Sequence, residues 1–503
     1  ERASMGHDLA DLGYDMTRFR SALAAALLLA AASFGLCVPP LAFAAEVASP
    51  AVSPDDAFSI AREGYEMLMP LVIMDLTRRG QSTMAPGGPP PRVPGVNRLA
   101  HADAFPPGDF REIVRPNFDT LYSTAWIDVS QGPVTMEVKP GLDRYYLLPL
   151  MDMWTDVFAV PGTRTLGAAG GKFLIVSRRW TGKAPADVEV IRAPTDLVWL
   201  IGRIQTNGPK DYDHVRMLQQ KVTLTPSVAP PGPLIDASFN RAVPVARQII
   251  ALPAETFFAE AARLSGLYPP HDVDQPALAR LARIGFRPGR PFDLSAQPPA
   301  IQTAVRRAQI DLLMSYRGAG LSIGEKRGTW RFQPNNLGAY GGDYRLRALV
   351  SLGGLGANRI EDAIYPNTAI DATGQPLVGL QSYRLHFEKA NLPPAGAFWS
   401  LTAYDPTGFP IQNPEKRYAV GDRDPLVYNA DGSLDLYIGQ TPPASPALKP
   451  NWLPTLADPF NLSLRVYLPK REVLDGRWTP PPVTPLTPTP NKTGTETAKA
   501  PGL

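Results

Sequence analysis

The chain has 503 residues, with Lys+Arg 50 against Asp+Glu 47 and a net charge of +3. Its basic residues are scattered, which leaves no footprint for nucleic acid. With 44% hydrophobic and 19% charged residues it reads as an ordinary globular chain, long enough for two or three domains of ~100–200 residues each.

From the N-terminal side, Arg18 and Arg20 after Met16 precede the apolar run Ala22 to Phe34, and Ala42-Phe43-Ala44 is a small-x-small cleavage site. That order reads as an export signal over 16–44, with 1–15 as upstream read-through and a mature start at Ala45. The expected location is periplasmic or secreted, with no stable membrane insertion once the signal is cut. An uncleaved anchor over 22–44 is the competing reading, opposed by Pro39 and Pro40 inside the stretch. Leu36 directly before Cys37 disfavours a lipid anchor. Cys37 leaves with the signal, which suits an oxidising compartment and excludes disulfides, thiolate metal sites and cysteine nucleophiles from the mature chain.

Residues 53–96 are expected to be a helical lead-in and loop. Ser53-Pro54-Asp55-Asp56 is an N-cap signal, and Phe58, Tyr65, Leu68, Leu71 and Val72 recur at helical spacing. Between 97 and 235 the pattern turns to strands, at Ser123 to Val129, Val134 to Val138, Arg144 to Leu150, Lys172 to Val176 and Asp187 to Ile191. Gly132-Pro133, Pro140-Gly141 and Pro161-Gly162 punctuate them, which predicts a first antiparallel sandwich module. Thr195 to Gln205 and Tyr212 to Lys221 fit a strand and a short helix.

Over 236–335 the period changes. Phe257, Phe258, Ala261 and Leu264 share one helical face, and Ile301, Ala304, Val305, Ala308 and Leu312 another, so a helical insert is predicted. Alternation returns over 336–482, with Tyr383, Leu385 and Phe387 on one side of a strand and Asp431-Gly432 as a hairpin signal. The Pro- and Thr-rich stretch 483–503 cannot bury enough surface to hold a fold and is expected to be disordered. The fold class predicted is mainly β within α+β, two sandwich modules with helices between.

Three groups of motifs stand out: Arg115-Pro116-Asn117 with Asp119, Thr120 and Tyr122; Met151-Asp152 with Trp154; and Gly338 with Tyr340, Gly341, Asp343 and Tyr344. Later come Tyr365-Pro366, the run Phe398 to Asp405, and Trp452-Leu453-Pro454 with Pro459-Phe460 and Arg465. Together they resemble a bacterial family of two uncharacterised modules, numbered twelve-fifty-four and twelve-fourteen in the domain-of-unknown-function series. The resemblance covers most of the mature chain, from about Asn97 to Pro226 and about Ile370 to Pro482. It implies a pair of jelly-roll-like β modules with a helical segment between, and a homodimer. It supplies no catalytic set.

The chemistry left open is narrow. There is no G-x-S-x-G elbow, no phosphate-binding G-x-x-x-x-G-K-[ST] loop and no H-E-x-x-H helix. His101, His214, His271 and His386 lack the close spacing of zinc ligands, so no metal and no cofactor is expected, and four separate imidazoles are. Carboxylates remain: Asp119, Asp152, Asp156, Asp343, Glu361, Asp362 and Asp405. An acid pair across a cleft would divide donor and base, with Trp126, Trp154, Tyr122, Tyr340, Tyr344, Trp399 and Tyr404 stacking on sugar rings. The competing reading makes these acids turn caps and ion partners and the aromatics sandwich core.

Pro116 should hold Arg115 extended and present Asn117 and Asp119 from a rigid turn, either a plain Asx-turn or a site for a hydroxyl-rich or anionic ligand. The binding candidates are therefore Arg115, Asn117, Asp119, Tyr122, Asp152, Trp154, Tyr340, Asp343 and Tyr344, shared between two loops. The function expected is binding or processing of a carbohydrate-like ligand. The alternatives are a carboxylate-based hydrolase and an assembly scaffold.

Overall fold

The computed structural model describes residues 52–84, 92–111, 114–232, 234–236, 238–316 and 323–486. The expected read-through, signal peptide and most of the C-terminal tail lie outside the described residues. Helix and strand take near-equal shares, 28% and 26%, in an α+β arrangement of antiparallel sandwich-like sheets.

Helix α1 (Pro54–Ser82) begins as its sequence predicts, with Pro54 at the first position and the Ser53 side chain accepting from Asp56 N at 3.1 Å. It is no peripheral lead-in. From Gly64 to Leu76 every residue is buried, because α2 (Val245–Ala251), α3 (Ala254–Leu267), α4 (Gln275–Ala282), α5 (Pro299–Ser315) and α6 (Tyr344–Gly353) pack around it. Tyr65 stacks on Phe257 at 4.6 Å and meets Phe258 edge-on at 4.8 Å. A side chain at Gly64 would run into Leu281, so α4 approaches α1 at its glycine.

The first module is two sheets. One runs Ala100–His101, β1 (Thr120–Asp128), β6 (Leu197–Gln205), β3 (Leu150–Asp152) and Val157–Ala159, with Tyr146–Leu147 also on β6. The other runs β7 (Val222–Pro226), β2 (Val134–Val138), β4 (Gly171–Ser177) and β5 (Glu189–Ala193), the last pair parallel. Alternation assigns the faces: Leu121, Ala125, Ile127, Val198, Leu200 and Ile204 fill the sandwich. Trp126 and Trp199, stacked at 5.6 Å, face the helical core instead.

In the second module, β8 (Asn367–Thr368), β14 (Asn461–Pro469), β10 (Ala395–Tyr404) and β11 (Ala419–Gly421) form the middle and edge of a seven-stranded sheet. It faces a four-stranded sheet of β13 (Trp452–Pro454), β12 (Leu434–Gly439), β9 (Tyr383–Phe387) and β15 (Val483–Pro485). The module is larger than expected at both ends. Glu325–Arg327 and Trp330–Phe332, inside the predicted helical insert, join the seven-stranded sheet. Val483, inside the predicted disordered tail, is fully buried and its strand pairs with β9.

Asp431-Gly432 turns the chain into β12, but the strand directly before it, β11, belongs to the seven-stranded sheet, so the turn closes no hairpin. The return of alternation was expected from residue 336, yet Tyr344–Gly353 is helix. Asp343 caps it by accepting from Leu346 N at 3.1 Å, and Leu346, Arg347, Val350 and Ser351 make up its buried side.

Candidate functional site

The strands of the second module alternate between two buried faces. On β10, Trp399, Leu401 and Ala403 enter the apolar core, and on β14 Leu462, Leu464 and Val466 do the same. The intervening Ser400, Thr402, Tyr404, Ser463, Arg465 and Tyr467 are also buried, in a polar row whose cross-strand register sets Ser400 beside Arg465. That row faces the first module, and the Arg115 to Tyr122 segment lies against it.

Asn117 shapes the segment locally: its Oδ1 accepts from Asp119 N at 2.6 Å and Thr120 N at 3.1 Å, an Asx-turn. The turn delivers Asp119, which has no exposed surface, into the seam. Its Oδ2 accepts from Ser400 Oγ at 2.7 Å and Tyr467 OH at 2.9 Å, and Oδ1 pairs with Arg423. Arg465 stands 4.0 Å away and donates to Tyr404 OH at 2.5 Å and to the Arg115 carbonyl at 3.1 Å. Arg115 is not extended: its φ of +54° is left-handed, held by its N–H on Gly408 O at 2.7 Å, and its guanidinium donates to Asn367 Oδ1 at 2.8 Å.

A further guanidinium, Arg203 on β6, lies under the Tyr122 ring at 5.0 Å. It donates to Asn358 Oδ1 and, at 2.7 Å, to Gly356 O. Asn358 passes the network to Tyr365 OH at 2.7 Å, and Tyr365 lies under Arg465. Among the described residues Arg203 has no carboxylate partner. Burial pushes Tyr404 up to about 12 and Tyr365 and Tyr467 in the same direction, so these phenols serve as neutral hydrogen-bonding groups. Four guanidiniums thus gather at the seam: Arg423 and Arg465 meet the Asp119 carboxylate, with Asp422 beside Arg423, while Arg115 and Arg203 donate to amide and carbonyl oxygens. Nε of Arg423 and Nε of Arg465 are buried without an acceptor.

Asp152, Trp154, Tyr340, Asp343 and Tyr344 belong to a different cluster. The turn from Asp152 to Asp156 closes with Asp152 Oδ1 accepting from Trp154 N at 2.9 Å and Asp156 N at 3.0 Å. Between them Thr155, a β-branched residue, has φ +71°, a strained conformation. Asp152 Oδ2 is 2.6 Å from His271 Nε2, and Asp156 Oδ2 is 3.3 Å from His271 Nδ1. Asp156 also accepts from Tyr340 N at 2.8 Å and from Arg347 at 2.9 Å. Asp274 accepts from His271 N at 2.9 Å.

Burial opposes a charged imidazole at His271. The Asp152 hydrogen bond and the charges of Asp152 and Asp156 outweigh it and raise its pKa. Burial raises the Asp156 carboxyl despite Arg347, with Asp152 adding to the shift.

The nine candidates therefore divide. Arg115, Asn117, Asp119 and Tyr122 sit at the seam between modules; Asp152, Trp154, Tyr340, Asp343 and Tyr344 sit in or beside the His271 cluster. Among the described residues no hydrogen bond, ion pair or ring contact joins the two sets, so they are not one shared site. Trp126, Trp154, Tyr340, Trp399 and Tyr404 are buried and offer no open face for a sugar. Of the other acids, Asp362 is bound at 2.8 and 3.0 Å by Arg164, and Asp405 caps a turn on Thr407 N and Phe409 N.

The residues not foreseen as site residues are Arg203, Ser400, Arg423, Arg465 and Tyr467 in the seam, and His271, Asp274 and Arg347 in the other cluster, where Asp156 counts among the candidate acids but not among the binding candidates. The alternating polar row of β10 and β14 was a readable signal for the first set. His271 had none, since Asp152 and Asp156, the carboxylates nearest its ring, lie more than a hundred residues away.

Two antiparallel sandwich modules, joined by a helical layer and meeting across a buried polar seam, define a two-module α+β protein. Family models match the protein of unknown function DUF1254 over residues 96–226 and the protein of unknown function DUF1214 over 362–471. The chain carries these two domains in this order.

Among solved structures it is similar to the VPA0106 protein from Vibrio parahaemolyticus, with a TM-score of 0.62 and 22% identity over 86% of this chain and 100% of that one. That likeness shows the fold. A putative uncharacterized protein from Burkholderia cenocepacia matches at a TM-score of 0.38 and 14% identity, over 86% of this chain and 93% of that one. No curated protein matches the chain.

Proposed function

We propose that the protein binds a small hydroxyl-bearing anion, of the sugar-acid class, at the seam between its modules. The observation that supports this is the seam's charge: the guanidiniums of Arg115, Arg203, Arg423 and Arg465 gather where only Asp119 and, beside Arg423, Asp422 supply carboxylates among the described residues, and two buried N–H groups have no acceptor. A buried guanidinium cannot shed its proton, and a buried donor left without a partner costs ~1–3 kcal/mol. An anion accepting from Arg203, Arg423 and Arg465 would remove both costs. Asn117, Ser400, Tyr467 and Asn358 are already hydrogen-bonded within the seam and would exchange some of those bonds for its hydroxyls. Recognition would run through hydrogen bonds and not through ring stacking, since the large aromatic rings are buried. Arg423 and Arg115 retain some exposure and mark the way in.

The ligand would be met in the periplasm or outside the cell, on the export signal expected over 16–44. An intact Met16 terminus on soluble protein from the native host, found by mass spectrometry, would remove that part of the reading.

The test is thermal denaturation with glucuronate, galacturonate, phosphate and neutral glucose. Sugar acids should raise the melting temperature, reaching ~2.7 kcal/mol at a hundred times Kd, and glucose should not. Arg203→Met should lose the response and melt somewhat earlier, since it leaves Asn358 Oδ1 and Gly356 O without their donor, at ~1–3 kcal/mol. If no anion stabilises the wild type, the seam is glue between modules and the scaffold reading takes its place.

A further inference from the structure

We propose that Asp152, Asp156 and His271 hold a first-row divalent metal ion. One ligand atom from each of the three lies within 4.8 Å of the others. They come from separate parts of the chain, the turn after β3 and the segment between α3 and α4. Histidine spacing along the sequence, the only signal used to expect no metal, could not detect such a set.

The carboxylates are oriented as metal ligands usually are, with one oxygen fixed by backbone donors and the other turned inward. Asp152 Oδ1 is held by Trp154 N and Asp156 N, and Asp156 Oδ1 by Tyr340 N, which leaves each Oδ2 facing His271. If Nε2 binds the ion beside Asp152, the Nδ1–H is left to Asp274, whose Oδ2 is 3.9 Å away, and Asp156 must turn its Oδ2 from Nδ1 toward the ion. The proton now shared between Asp152 and Nε2 would leave when the ion enters.

A second, independent observation concerns charge and satisfaction. Asp274 has no exposed surface, its carboxylate reaches toward the imidazole, and its Oδ1 has no hydrogen-bond partner. The carboxylates of Asp152, Asp156 and Asp274 face only one guanidinium here, that of Arg347, which donates to Asp156 Oδ2 at 2.9 Å. With a neutral imidazole, two negative charges remain, the complement of a divalent cation.

Asp152 is fully buried, whereas His271 and Asp156 keep 21% and 17% side-chain exposure, so the ion would be open to water on their side. One imidazole with carboxylate oxygens suits Mn²⁺, Fe²⁺ or Zn²⁺ better than a thiolate-preferring ion. Arg347 competes for the outer lone pair of Asp156 and should weaken binding without preventing it.

The full chain, stripped with a chelator, would be titrated with Mn²⁺ and Zn²⁺ and followed by calorimetry and, for Mn²⁺, by paramagnetic resonance. One ion per chain is expected. Asp152→Asn and His271→Gln should each weaken binding by at least about tenfold, and Arg347→Met should tighten it. In crystals of the wild type grown with Mn²⁺, anomalous scattering should peak among the three ligands, a readout that requires no variant to fold. No bound ion at millimolar Mn²⁺ or Zn²⁺, an anomalous peak elsewhere, or affinity unchanged in the Asp152→Asn/His271→Gln variant would each overturn the assignment.

Discussion

The seam between the modules and the cluster around His271 are both polar groups buried where separate parts of the chain meet, but their excess charge has opposite sign. At the seam, among the described residues, Asp119 and the Asp422 beside Arg423 are the carboxylates set against Arg115, Arg203, Arg423 and Arg465. Around His271, Arg347 is the only guanidinium among Asp152, Asp156 and Asp274. A carboxylate count, which is all that an acid-pair hydrolase asks for, treats the two alike. Sign separates them: the first is built to receive an anion and the second a cation.

The comparison breaks most readily at its two central acids. Asp119→Asn removes the fully buried anion from a group of guanidiniums and should cost about 3–5 kcal/mol in urea unfolding. Asp152→Asn removes one of three acids, relieves repulsion among the others, and keeps an acceptor for Trp154 N and Asp156 N. It should cost only about 1–2 kcal/mol. Equal losses at the two positions would mean that charge sign is not what distinguishes the clusters.

What the sequence disclosed follows the same division. The family resemblance set the modules at about 97–226 and 370–482, close to the matches at 96–226 and 362–471, whereas alternation alone ran the second module from 336. The seam was half readable. Asn117 and Asp119 stood out as a turn that packing did not explain, but Ser400 and Tyr467 reach Asp119 across 281 and 348 positions, and only strand register brings them there.

Two errors have physical causes. Arg115 was expected to be extended because a following proline favours that, yet the Gly408 carbonyl and the Asn367 side chain hold it at positive φ. Tyr344 to Gly353 was taken into an alternating region although Asp343 and the spacing of Leu346 and Val350 signal a capped helix. The burial of Trp154, Trp399 and Tyr404 was invisible in the sequence, since an aromatic beside an acid looks the same in a core as in a cleft.

A pH measurement sharpens the seam's half of the comparison. Asp422, next to Arg423, has its carboxyl raised to about 6, chiefly by burial, against the lowering effects of its Trp399 N–H bond and Arg423. The folded state therefore holds this proton through a window, about pH 4 to 6, in which the unfolded chain has released it. Stability should fall as pH rises through that window, by an amount that solvent screening keeps modest because Asp422 is exposed over more than a third of its surface. Asp422→Asn should flatten this part of the stability curve while keeping an acceptor for Trp399 N. For the proposed anion the same protonation adds net positive charge, so affinity should be higher at pH 5 than at pH 7 in the wild type and independent of pH in Asp422→Asn. A wild-type profile that is flat from pH 4 to 7 would show that Arg423 and its neighbours, not burial, govern the Asp422 carboxyl.

The smallest effect tests whether Asp119 organises the seam or merely occupies it. Ser400 is fully buried on β10 and donates to Asp119 Oδ2 at 2.7 Å, next to the Tyr467 hydroxyl at 2.9 Å on the same oxygen. Ser400→Ala leaves that oxygen with Tyr467, and leaves Oδ1 with Arg423, so it should cost about 1–2 kcal/mol, the scale of one hydrogen bond to a charged group. In the Asp119→Asn background the same change should cost less than about 0.5 kcal/mol, since the serine then serves a neutral acceptor in a seam already short of negative charge. A coupling of ~1 kcal/mol from this double-mutant cycle is the expected result. Additive losses would mean that Ser400 contributes through packing against β14, and that the polar row of the second module is arranged by its own sheet and not by the carboxylate it surrounds.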